Sequence, residues 1–140
     1  MVCPDCQKTM STVPHANSGP GYAKYPEHTV RIVPFKGRVI VEAPEGQVLV
    51  DTNRALELRE ASYPPVYYVP RADTRMGRLS KTNHSSHCPF KGDASYFSIA
   101  GIAEGENAVW SYEAPFDEVI AIREALAFYP DKVKLRVERS

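Results

Sequence analysis

The sequence predicts the mainly β (α+β) class: a compact antiparallel β-sheet domain with one C-terminal helix and a long functional loop. Three observations predict it. Apolar residues recur with a period of two in several short runs, the spacing of strands with one buried face. Twelve prolines interrupt the chain and favour strands, turns and loops over long helices. One stretch, after Pro115, carries apolar residues at helical spacing.

Residues 1–28 are polar and broken by Pro4, Pro14, Gly19, Pro20, Gly21 and Pro26. They show neither period and read as a polar N-terminal extension to a single domain over residues 29–140. Val30 and Ile32, then Val39 and Val41, alternate with Arg31, Arg38, Ile40 and Glu42, and Lys36-Gly37 turns the first strand into the second. Pro44-Glu45-Gly46 is a turn before a short strand, Gln47 to Val50. Ala55 to Glu60 alternates with leucines in and charges out. Pro64-Pro65 forces extended backbone into a strand over Val66-Tyr67-Tyr68-Val69, where Tyr67 and Tyr68 point to opposite faces.

Arg71 to Gly92 is the long loop. Asp93 to Ile99 and Asn107 to Tyr112 form a hairpin across Ala103-Glu104-Gly105-Glu106. Pro115 opens the helix, with Phe116, Val119, Ile120, Ile122 and Leu126 on its buried face, and Pro130 ends it. Val133, Leu135 and Val137 alternate with charges in a closing strand.

Composition narrows the function classes. Lysine plus arginine (17) equal aspartate plus glutamate (17), so no net field steers the molecule to nucleic acid or an acidic membrane. No apolar run reaches the ~18 residues a membrane helix needs, and Met1 to Lys8 has no apolar signal core. Three cysteines suit a reducing compartment better than a disulfide framework, which points to the cytoplasm. Cys3-Pro-Asp-Cys6 fits half of a zinc site or a redox pair; the second such pair that would point to zinc is absent from the sequence.

Chemistry-bearing residues concentrate in one stretch, Thr82 to Tyr96, which holds His84, His87, Cys88, Lys91 and Asp93. Between Arg71 and Gly92, Arg71, Arg75, Arg78, Lys81 and Lys91 face a single acid, Asp73. Aromatic segments flank the stretch: Tyr63 to Tyr68 before it, Trp110 and Tyr112 after it.

Three motifs carry a resemblance. They are Tyr67-Tyr68-x-Pro70-Arg71-x-Asp73; Thr82-x-His84-x-x-His87-Cys88-Pro89-x-Lys91-Gly92-Asp93-Ala94-Ser95-Tyr96; and Ala108-x-Trp110-x-Tyr112 with Phe128-Tyr129. From about Val30 to Val137 the chain resembles the family catalogued as domain of unknown function 427. The resemblance implies a compact, mostly β domain and no established activity. The family is sometimes filed under a nucleotidyltransferase label, whose Gly-Ser turn and Asp-x-Asp pair do not occur in this sequence.

The cluster fits several chemistries. The first is a pocket for an anionic, nucleotide- or phosphate-like small molecule. Arg71, His87 and Lys91 would grip the anion, and Tyr68 and Trp110 would wall the remainder. The second is a hydrolase or transferase with Cys88 as nucleophile, His84 as base and Asp93 orienting the histidine. The third is a metal site at His84, His87 and Cys88, which Cys88 directly after His87 makes geometrically awkward. No cofactor is indicated, and the chain is as consistent with a binding protein as with an enzyme.

Overall fold

The computed structural model describes residues 17–140; Cys3 and Cys6 lie outside them. Among the described residues are ten strands and one short α-helix: α1 Pro20–Lys24, β1 Val30–Pro34, β2 Gly37–Glu42, β3 Val48–Thr52, β4 Leu56–Glu60, β5 Val66–Tyr68, β6 Leu79–Cys88, β7 Gly92–Ile99, β8 Val109–Tyr112, β9 Leu126–Phe128 and β10 Lys134–Arg139. They form three antiparallel sheets, ordered β1-β4-β5, β10-β2-β3 and β6-β7-β8-β9. Val69 and Leu126 exchange both backbone hydrogen bonds, at 2.8 and 2.9 Å, which links the first sheet to the third. The class is mainly β, as the alternating runs predict. No helix among the described residues is long and apolar enough to cross a membrane.

The strand β2 buries Val39, Ile40 and Val41 in succession because it is central, between β10 and β3. Two buried clusters result. Phe35, Val39, Leu49, Phe97, Val109 and Leu126 belong to the larger, and Leu58, Tyr68, Tyr96, Tyr112, Val119 and Ile122 to the smaller. The smaller one is rich in tyrosine, and the site forms beside it.

Three expectations are corrected. The first is the C-terminal helix, which does not form. Asp117–Ile122 is 3-10 in character and broken at Val119, whose φ of −125° is not helical. Glu124 then takes a φ of +63°, reversing the chain so that its N–H donates to the Tyr112 carbonyl. That reversal delivers Leu126-Ala127-Phe128 as a fully buried strand beside β8. A continuous apolar run inside a sheet mimics a helical stripe, and here tertiary pairing decides the outcome. Ile120, assigned to the buried face, is 51% exposed.

The second correction is the long loop. After 3-10 turns at Arg71–Asp73 and Met76–Arg78 comes β6, paired with β7 over Leu79 to Lys81 and Ser85 to Cys88, with an irregularity between. An edge strand with polar, mostly exposed side chains shows no apolar alternation, so its sequence resembles a loop. The turn from β6 into β7 uses Gly92 at a φ of +114°, where a side chain would be strained.

The third is Glu57, expected to face out. It is 3% exposed and accepts a 3.1 Å hydrogen bond from the Arg59 guanidinium, with Arg139 nearby.

Part of the polar extension is ordered on the domain. Tyr22 donates to the Phe90 carbonyl at 2.8 Å, and the Gly21 N–H to the Pro89 carbonyl at 2.9 Å. Gly21 lies so close that a Cβ there would meet the Phe90 ring at 2.8 Å. Asn17 and Ser18 hold Pro115 and Glu118 from the same strap.

Candidate functional site

Partners across an antiparallel pair share a face, so the registers of β6, β7 and β8 sort the candidate residues into two groups. Tyr96 lies opposite Trp110, and Ala94 opposite Tyr112 and Ser86. Ser95 lies opposite Ser111 and Ser85, and Asp93 opposite His87. Tyr96, Trp110, Tyr112, Ser86 and Cys88 therefore share one face. Ser95, Ser111, His87, Asp93 and Lys81 share the other.

On the first face a cleft of about 510 Å³ opens between the three sheets. β7 and β8 supply Tyr96, Trp110 and Tyr112; β5 and the chain before it supply Tyr63, Tyr67 and Tyr68. Val41 and Leu135 close it from the sheet of β2 and β10. Trp110 donates its indole N–H to the Tyr68 hydroxyl at 3.2 Å and packs on Tyr129 with ring centres 4.5 Å apart. Burial pushes the Tyr68 phenol well above the ordinary tyrosine range, despite the indole hydrogen bond. Burial first, then its neighbour Tyr96, pushes the Tyr129 phenol up to about 12. These hydroxyls stay protonated at neutral pH.

The charged groups lining the cleft are Lys91 and Glu60. Lys91 is 8% exposed, and its ammonium donates to Glu60 Oε1 at 2.5 Å. The other oxygen, Oε2, lies 2.8 Å from His28 Nε2. Burial alone would raise the Glu60 carboxyl, but the bonds from Lys91 and His28 outweigh it and hold the group below its ordinary value. The His28 ring in turn stacks on Phe90, with centroids 4.1 Å apart. The strap thus fixes the carboxylate that fixes the lysine.

The second face has a different character. Glu113 accepts from Lys81 at 2.8 Å, Ser95 at 3.0 Å and Arg71 at 3.2 Å. The Lys81 bond contributes most to holding its carboxyl below the ordinary range. Arg71 also donates to the Glu124 carbonyl at 2.7 Å and to Ser111 at 3.2 Å. His87 Nδ1 and Asp93 pair at 2.7 Å in an exposed position.

The structure therefore divides the predicted residues. Tyr68, Trp110 and Lys91 meet in the cleft. Arg71 and His87 lie on the far face of the sheet and do not join Lys91. Cys88 is half-buried beside the tyrosine-rich cluster, and His84 is exposed with its ring edge-on to Tyr96. Four residues along a strand separate their Cα atoms by about 13 Å, so His84 does not reach the Cys88 thiol. Asp93, meant to orient His84, is paired with His87 instead. Among the described residues no three His, Cys, Asp or Glu side chains gather as a metal site.

The sequence gives no site role to Glu60, His28, Tyr96, Tyr112 or Tyr129. Hairpin register was the available signal for the tyrosines, since it places Tyr96 and Tyr112 on the side of Trp110. Nothing local marks Glu60 or His28.

Fold and cleft together define a small, mainly β domain with an aromatic cavity opening between its sheets. The family model described as Domain of unknown function (DUF427) matches residues 31–139, and the chain belongs to that family. The strap from Asn17 to His28 precedes the matched region. No curated protein matches the sequence.

Proposed function

We propose that this domain binds a small organic molecule in the aromatic cleft. The observation that carries the reading is the cleft's make-up: about 510 Å³ walled by tyrosines and Trp110, with one buried ion pair, Lys91–Glu60, among its lining. That volume lies within the roughly 300–1,000 Å³ of small-molecule sites, which combine apolar walls with few placed polar groups. The anionic part of the sequence-based expectation has weaker support. Four of the five cations between Arg71 and Gly92 are engaged by carboxylates: Arg71 and Lys81 by Glu113, Arg78 by Glu45, Lys91 by Glu60.

Trp110 is the only tryptophan in the chain and lines the cleft, so its fluorescence reports occupancy directly. Titration with a panel of small aromatic compounds is expected to change that fluorescence and raise the melting temperature. Val66→Phe, which narrows the cleft at β5, is expected to abolish both responses. Silence across the panel, with an unmoved melting temperature, removes the proposal.

A further inference from the structure

Lys91 offers more hydrogen bonds than its surroundings take up. An ammonium carries three N–H donors. Among the described residues one acceptor, Glu60 Oε1, engages it. The second oxygen of Glu60 is bonded to His28 rather than to Lys91. Two donors of a side chain 10% exposed thus remain at a cleft whose other walls are mostly apolar. A buried donor left without an acceptor is costly, so these two N–H groups favour any occupant that accepts from them.

The charge of the pair then selects among acceptors. Lys91 is already neutralised by Glu60 at 2.5 Å. A carboxylate or phosphate entering here would meet the Glu60 carboxylate and leave net negative charge in a poorly solvated cavity. A neutral carbonyl oxygen has two lone pairs, takes both donors and adds no charge. Tyr112 also lines the cleft. Burial first, then Tyr68, pushes the Tyr112 hydroxyl far above its ordinary range, so it stays protonated and able to donate.

We infer that the ligand is a neutral carbonyl compound on an aromatic or apolar body, its oxygen held by Lys91. This rests on the cleft being a binding site at all, and it names the chemical class that such a site would take.

Three probes of one shape separate the outcomes: 2-acetylnaphthalene, 2-naphthoate and 2-ethylnaphthalene, each titrated against Trp110 fluorescence in the full chain. The ketone is expected to bind about tenfold or more tighter than the hydrocarbon, the size of one or two net hydrogen bonds, and tighter than the carboxylate. Equal binding of ketone and hydrocarbon overturns the carbonyl assignment and leaves the cleft standing. Tightest binding by 2-naphthoate also overturns it, in favour of an anion site. Binding by none of the three removes the assignment together with the cleft reading. Lys91→Met combined with Glu60→Gln removes the pair without leaving a lone buried charge. That variant is expected to lose the ketone's advantage while still binding 2-ethylnaphthalene; an advantage that persists in a folded variant overturns the role of Lys91.

Discussion

The two faces of the β6–β9 sheet come from the same stretches of sequence, residue by alternate residue, yet their polar groups are satisfied to different degrees. The face bearing Arg71, Lys81, Ser95 and Glu113 is a closed network in which every cation has its carboxylate. The face bearing Tyr96, Trp110 and Tyr112 borders an open cleft, and its one lysine keeps donors to spare. The first face has more charge and the second has more unfilled hydrogen-bonding capacity. On the proposed reading, unfilled hydrogen-bonding capacity beside apolar surface is a better guide to a site than density of charged residues in the sequence.

The sharpest way to break this comparison is Arg71→Ala. It removes bonds to Glu113, Ser111 and the Glu124 carbonyl at once, and the last of these helps to hold the reversal that delivers β9. A loss of about 2–3 kcal/mol is expected in urea unfolding, with probe binding at Trp110 unchanged wherever the variant is folded. Loss of probe binding with stability intact would place Arg71 at the ligand and undo the separation of faces.

Tyr68→Phe tests the cleft side. The substitution keeps the ring, 1% exposed, and deletes the acceptor for the Trp110 indole. Destabilisation of about 1–2 kcal/mol is expected, together with a shift in Trp110 emission. Unchanged emission would mean that the indole bond does not order the wall.

Acid titration compares the paired carboxylates of the two faces. Glu60 and Glu113 both sit below their ordinary value of 4.5 when folded. Such a group contributes its full stability above the unfolded value, and loses it as pH falls through the folded one. Urea midpoints should therefore fall on acidification from about pH 6 to about pH 3, and Glu60→Gln and Glu113→Gln should each flatten the slope. The Glu60 change should be the larger, because its side chain is 16% exposed against 31% for Glu113 and is screened less by solvent. Equal slopes would show that the cleft's ion pair is as wet as the surface network.

Much of the fold was legible in the sequence, and the exceptions have physical causes. Val30 to Ile32 and Leu135 to Val137 alternate because one face is half-buried and the other exposed, and each lies in a strand; Val39 to Val41 lie in a strand buried on both faces. The strand β6 gave no such signal. It is held by backbone pairing to β7 on either side of an irregularity and buries little side chain, so its polarity reads as a loop. The stripe after Pro115 misled in the opposite way. Val119 and Ile122 are buried, but from a broken 3-10 segment, and Leu126 reaches the core as part of β9.

The site was legible where it depends on residue type and illegible where it depends on pairing. Tyr68, Trp110 and Lys91 stood out as aromatic and basic residues, and they share the cleft. The basic excess from Arg71 to Lys91 looked unbalanced because its acids, Glu45, Glu60 and Glu113, lie outside that stretch and arrive only on folding.

The smallest expected effect belongs to the pair that most resembles catalytic machinery. His87 Nδ1 bonds Asp93 at 2.7 Å, the His–carboxylate contact that hydrolytic sites employ. Their side chains are 58% and 84% exposed, however, on the closed face of the sheet and away from the cleft. A solvated ion pair contributes little, since water screens it and two side chains must be ordered to make it. His87→Ala should cost less than about 1 kcal/mol by urea unfolding and leave probe binding at Trp110 unchanged. An exposed dyad does chemistry only if something else buries it together with a substrate. A loss of probe binding in His87→Ala, with stability intact, would show that both faces serve one site.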